Sequence, residues 1–129
     1  MSHTLGRRQA GVLLHPSSLP GPGYTGDFGE AAHRFVDLLA DCGLQIWQVL
    51  PLGPTHSDQC PYQSFSVHAG NPDLIDLHWL VAQGWLETGD AERGQASPEA
   101  KREALTIAIK VFCEQVASAA ETPMVAAYE

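Results

Sequence analysis

Cys60, Pro61, Tyr62, Gln63 and Ser64 stand side by side in "SDQCPYQSFSVHAGNP", residues 57–72. The stretch has no regular period and follows directly on a strand-like run. An aromatic ring behind a proline, with polar neighbours, can form the wall of a binding site. It can equally be an ordered loop that packs its own aromatics, and these residues alone leave both readings open. His56, Cys60 and His68 lie near one another, but their spacings fit no compact zinc pattern. They read as loop or surface residues, and no metal is expected. His15 ends an apolar run just before Pro16, where it either sees a ligand or shapes the loop that follows. The glycine-rich "GPGYTGDFG" has neither Gly-x-Gly-x-x-Gly spacing nor a Lys-Ser/Thr ending, so it is not a phosphate loop. Most acidic residues fall on solvated helix faces, as Asp37 and Asp41 do, or in the polar stretch 87–97. None of them reads as a nucleophile.

The elements that must position these residues are short. "GVLL" reads as a buried strand, Gly11 to Leu14, stopped at His15-Pro16 because proline cannot donate to a ladder. A proline- and glycine-rich loop follows, from Pro16 to Gly26. Ala32, Phe35, Val36, Leu39 and Cys42 recur every three or four residues and predict a helix from about Glu30 to Cys42. Glu30 and Arg34 pair on its wet face, Asp27 is the expected N-cap, and Gly43 sits where a left-handed residue ends a helix. Ile46 to Leu50 reads as a second strand, ended by Pro51. Strand, helix, strand is a βαβ unit with parallel strands, and two nearly continuous apolar runs imply cover on both faces. In parallel α/β folds ligands bind beyond the carboxyl ends of the strands. The loops 16–26 and 51–72 should therefore share one rim.

Beyond Pro72 the pattern is helical. Leu77, Leu80 and Val81 form a stripe that stops at Gly84, and residues 87–97 read as a polar connector. Ser97-Pro98 opens another helix, with Leu105, Ala108, Ile109, Phe112 and Val116 as its expected stripe. Trp47 reads as core, and Trp79 and Trp85 as helix-packing residues. After Ala120 no period remains, and the end is expected to fray. Two strands and three helices leave sheet edges open, so the chain looks like the opening portion of something larger.

Composition narrows the partners. The chain has 129 residues, 44% of them hydrophobic, which is material for a globular core. Seven basic against fifteen acidic residues give a net charge of −8, which disfavours nucleic acid and anionic membrane. Three scattered cysteines suggest reduced thiols and a cytoplasmic location. No apolar run approaches the roughly 20 residues that span a bilayer. Arg7-Arg8 precedes too short an apolar run for an export signal.

Three ordered stretches, "GVLLHPSSLPGPGYTGDFGEAAHRFVDLL", "WQVLPLGPT" and "PYQSFSVHAGNPDLIDL", resemble the start of the 4-α-glucanotransferases (amylomaltases, glycoside hydrolase family 77). The likeness covers about Arg8 to Leu86, is loose from Lys101 to Phe112, and is not visible from Ala117 onward. It implies an α/β fold: the opening βα units of a (β/α)8 barrel, incomplete here, followed by helices of an inserted subdomain. Residues 1–86 would hold the barrel part and the substrate-contacting loop; residues 87–129 would be a helical segment with a frayed, non-matching C-terminus. It also implies transfer of an α-1,4-glucan segment to the 4-hydroxyl of glucose or another glucan. The expected chemistry is retaining, through a covalent glycosyl-enzyme, with one carboxylate as nucleophile and another as acid and then base. No cofactor is implied. The partners implied are maltodextrin, glucose and the missing remainder of the barrel.

The family's catalytic carboxylates come from later strands, and none matches a position in this chain. What carries over is Tyr62, matching the tyrosine that stacks on glucose in the family's Ser-Pro-Tyr motif, with Pro61 holding its backbone. Cys60 replaces the usual serine, and a thiol is a weaker hydrogen-bonding partner. Gln63 and Ser64 would shape the loop, as would His15. The alternative reading is a catalytically inert maltodextrin-binding fragment or a truncated gene product.

Overall fold

The computed structural model describes residues 8–66 and 68–120, and the expected fraying after Ala120 lies outside them. Two short strands, β1 (Gly11–Leu13) and β2 (Ile46–Gln48), flank helix α1 (Glu30–Asp41). They pair in parallel, with Gly11 opposite Ile46, Val12 opposite Trp47 and Leu13 opposite Gln48. The predicted βαβ unit is therefore present. Each strand stops one or two residues early, although Leu14 N–H still donates to Gln48 O at 3.0 Å.

α1 ends as its glycine requires. Gly43 takes φ +71°, its N–H reaches Ala40 O at 2.9 Å, and Leu44 N–H reaches Leu39 O at 2.8 Å. This double closure satisfies carbonyls that the helix would otherwise leave without donors, and only a residue lacking Cβ adopts that φ cheaply. The start differs from expectation. Gly29 is the N-cap, and Asp27 instead accepts the Gly29 N–H at 2.9 Å, bending the chain two residues ahead of the helix.

Cover over the sheet is also less than the apolar runs suggest. Val12 and Trp47 are half-buried, while Gly11, Leu13, Ile46 and Gln48 are exposed. Continuous apolarity anticipates burial on both faces, but within this unit the pleat packs one face only. Trp47 closes that face against Phe35 (centroids 5.1 Å) and Phe28 (6.4 Å), and its Nε1–H donates to Leu14 O at 2.8 Å. The core role expected for Trp47 holds. On α1, Ala32 and Leu39 are buried but Val36 and Cys42 are not, because two strands accept only a narrow stripe. Glu30 and Arg34 do pair, at 3.7 Å, but in open solvent, where such a pair contributes little.

By contacts the chain divides into two compact units, residues 1–21 with 25–75, and residues 22–24 with 76–129. By these contacts the boundary lies after Ile75, because α2 (Leu77–Ala82) shares its core with the helices that follow. Asp76 caps α2 by accepting the His78 N–H at 2.9 Å, and Gly84 at φ +75° ends it as predicted. Residues 88–94 correct the sequence reading: they form a helix, α3 (Thr88–Gly94), where a polar connector was expected. Its packing surface is made of small residues. Ala91 is fully buried, and a side chain at Gly94 would lie 2.6 Å from Leu77 Cδ1 and 3.0 Å from Ala104 Cβ.

α4 (Pro98–Ala120) begins as predicted, with Ser97 Oγ accepting the Ala100 N–H at 3.2 Å. Its buried face is Ala104, Leu105 and Ala108. Ile109 and Val116, expected on that stripe, are exposed, because apolar residues surround this helix and mark no single side. Trp85 packs edge-on to Phe112 (4.8 Å) and Trp79 (5.6 Å), although Trp79 itself is half exposed.

Glu99, in the first turn of α4, is held below the usual carboxylate range. The causes, largest first, are a backbone hydrogen bond, one with the Ser97 side chain, and the nearby Arg102 charge. A depressed folded value means its contribution is present above the unfolded carboxylate pKa and lost as pH falls through the folded one. Glu99→Gln should therefore flatten a small part of the acid limb of helix unfolding, read by circular dichroism against pH. An unchanged limb would show that the contacts carry no weight.

Candidate functional site

The loop after β2 is a built structure. Asn71 N–H donates to Leu52 O at 2.8 Å and closes its base, while Phe65 N–H donates to Pro54 O at 3.0 Å. Thr55 and Ser64 form an antiparallel bridge between the two legs. Ser64 Oγ donates to Ser66 O at 2.7 Å and accepts the Ser66 N–H at 3.3 Å, so Ser64 fixes the returning leg. Ser66 Oγ then accepts the N–H groups of His68 and Ala69, each at 3.2 Å. Gly53 lies buried against this leg, where a side chain would meet Ser64 and Ser66.

At the tip the chain turns twice. Gln59 N–H reaches His56 O at 2.9 Å, with Gln59 in the left-handed region at φ 55°. The Asp58 carboxylate accepts the Cys60 N–H at 3.1 Å. Gln63 N–H then reaches Cys60 O at 3.1 Å, closing a turn with Pro61 and Tyr62 at its centre. Proline suits the second position of such a turn because its φ is already set. Tyr62 is 76% exposed, Gln63 is exposed, and Cys60 and Pro61 are half-buried.

Both readings of the opening stretch thus apply, to different rings. Phe65 stacks on His56 within the loop, ring centroids 3.8 Å apart, although it remains 65% exposed. Tyr62 does not fold inward and stands free at the tip. An exposed aromatic on a braced turn, flanked by polar groups, offers an apolar face to a ligand that also carries hydroxyls.

His15 lies at the end of β1 and is 7% exposed. Its Nδ1 is 2.7 Å from Ser17 Oγ and accepts the Ser17 N–H at 3.3 Å, capping the 3-10 turn Pro16–Ser18. It shares a cavity of about 10 Å³ with Ser17 and Thr25 from the first loop, and Thr55, Gln59 and Asn71 from the second. The two loops therefore meet beyond the strand ends, as a shared rim requires. Composition could not reveal this cavity, since it exists only through the meeting of distant segments. Its nearest sequence signal is Asn71-Pro72, where the Asn71 side chain accepts the Asp73 N–H at 2.9 Å and starts a 3-10 turn. Among the described residues no group of three or more His, Cys, Asp or Glu could hold a metal ion. No helix among them is long and apolar enough to cross a membrane.

Comparison with known proteins fits this arrangement. The chain is 54% identical over 86 residues to the 4-alpha-glucanotransferase of Streptococcus pneumoniae, covering 67% of this chain and 17% of that protein. It is 44% identical over 114 residues to that of Aquifex aeolicus, covering 81% and 24%. An amylomaltase from Streptococcus agalactiae, solved in complex with acarbose, superposes with a TM-score of 0.75 at 39% identity, covering 84% of this chain and 24% of that one. The chain thus spans about a sixth to a quarter of the length of these relatives. The 4-alpha-glucanotransferase family profile matches residues 14–128, well past Ala117, where the motifs alone showed no likeness. A match over nearly the whole chain, with relatives and fold in agreement, means that the chain belongs to the 4-alpha-glucanotransferase family, glycoside hydrolase family 77.

Proposed function

We propose that this chain is the N-terminal part of a cytoplasmic 4-α-glucanotransferase, which moves a segment of α-1,4-glucan to the 4-hydroxyl of glucose or another glucan. Its residues supply the opening βα units of a (β/α)8 barrel and one wall of the glucan site, with the rest of the barrel covering the exposed sheet face. The observation that carries this reading is the exposed Tyr62 ring at the tip of a braced turn, within a chain of this family. Pro61 sets the turn, Tyr62 stacks on a pyranose, and Cys60 and Gln63 flank the ring. Ser64 and His15 hold the loop rather than the sugar. The displacement is retaining, and the reacting carboxylates lie in polypeptide beyond this chain.

Both legs of the loop are braced within this chain, and this favours a second role for the chain by itself: weak maltodextrin binding without chemistry. Calorimetric or NMR titration with maltoheptaose tests it. Saturable binding is expected, and Tyr62→Ala should weaken it about tenfold, since stacking on one aromatic ring contributes on the order of 1 kcal/mol or more. Melting of the variant should be nearly unchanged, because Tyr62 is 76% exposed. Equal affinity in the variant would remove Tyr62 from the site.

A further inference from the structure

We propose that His15 is a positioning residue for the Tyr62 loop, acting through one buried water held between its Nε2 and the legs of that loop. A backbone N–H can only donate, so the Ser17 amide at 3.3 Å makes His15 Nδ1 an acceptor. The neutral ring then carries its proton on Nε2. That Nε2 is buried and has no protein partner within hydrogen-bonding distance. A buried donor without an acceptor costs roughly 1–3 kcal/mol, which a well-packed turn does not ordinarily tolerate.

The cavity beside His15 resolves the conflict. At about 10 Å³ it admits a single water. Its wall mixes Leu74 and other apolar surface with the polar groups of Ser17, Thr25, Thr55, Gln59, Asn71 and Asp73, enough partners for one water. Cavities of this size with such partners hold water, whereas dry ones are apolar. A water there accepts from Nε2–H and donates to oxygens of the opposite wall. Two of the wall residues govern the site. Thr55 forms the bridge to Ser64, and Gln59, at φ 55°, directly precedes Cys60, Pro61 and Tyr62. A non-glycine residue at such a φ persists only where its surroundings hold it. The water joins the end of β1 to one leg of the loop and to the turn at its tip.

The test is NMR on the 15N-labelled 129-residue chain. The His15 ring should show the Nε2–H tautomer, with a slowly exchanging proton and a cross-peak to a long-lived water. A proton on Nδ1, or an Nε2–H without a bound-water cross-peak, would overturn the proposal without need of any variant. His15→Asn keeps an acceptor for the Ser17 amide but cannot reach the cavity. His15→Gln places an N–H where Nε2 was. Amide shifts of Thr55, Gln59 and Cys60 should move in H15N and return towards wild type in H15Q, a rescue that capping alone does not give. Unmoved amides in H15N would also refute the role. The consequence for glucan rests on the proposed function: maltoheptaose affinity should fall about fivefold in H15N and recover in H15Q, about 1 kcal/mol at RT ln 5. If wild type binds no maltoheptaose, the glucan reading fails, and the water and amide signals still decide the role of His15.

Discussion

Mixed with maltotriose, the purified 129-residue chain should release no glucose and build no longer glucans over days of incubation. Retaining transfer needs two carboxyl groups about 5–5.5 Å apart, one of them protonated at working pH. Several of the acids in this chain are already engaged elsewhere. Asp58 holds the Cys60 amide, Asp76 caps α2, and Glu30 and Asp90 pair with Arg34 and Arg93. Glu99 is pulled below the ordinary carboxylate range, the opposite of what a proton donor requires. The uncatalysed reaction is immeasurably slow by comparison with an enzyme, whose accelerations reach at least about a millionfold. The readout is therefore close to all or nothing. Chromatography that showed glucose and maltopentaose accumulating, with activity co-eluting with the chain, would place the reacting acids within these residues and sink the division of labour proposed above.

What the sequence made legible followed from local chemistry. Pro16, Gly43 and Pro51 punctuate the βαβ unit, and each acts through its own backbone, so strand, helix and strand were readable within a residue or two. The turn at Pro61-Tyr62 was readable for the same reason, since proline suits its second position; a sugar-contacting role for Tyr62 came only with the family resemblance. The misses came where the partner decides. Helix α3 has no apolar stripe because its packing surface is Ala91 and Gly94, and small size matters there only against Leu77 and Ala104. Leu13 and Ile46 look like core and are 53% and 42% exposed, because strand burial depends on what lies opposite, not on the strand itself. On α4, Ile109 and Leu105 are equally apolar, and only Leu105 falls in the core shared with α2 and α3. The bridge between Thr55 and Ser64 joins two polar residues with no alternation around them. The cavity at His15 needed segments from both loops.

Gly53→Ala should displace the Tyr62 loop and remove glucan binding at least as completely as Tyr62→Ala does. Gly53 is buried with an ordinary backbone conformation, so the penalty is steric alone. A Cβ there would run into Ser64 Oγ and lie 2.5 Å from Ser66 O. Neither atom is free to retreat. Ser64 Oγ is tied to Ser66 O and Ser66 N–H, and Phe65 N–H is bonded to Pro54 O, so the returning leg would move as one piece. Overpacking of this kind costs about 1–3 kcal/mol. It falls on the leg that leads back from the turn bearing Tyr62. Amide shifts from His56 to Ser66 should scatter, while those of α3 and α4, which lie in the other unit, stay in place. A second substitution separates sterics from any other effect. Ser64→Gly on the Gly53→Ala background removes the Oγ and Cβ that the new methyl meets, but leaves Ser66 O, so recovery should be partial. Full binding in Gly53→Ala alone would mean that the leg is soft, and that Tyr62 reaches its ligand without the bracing described here.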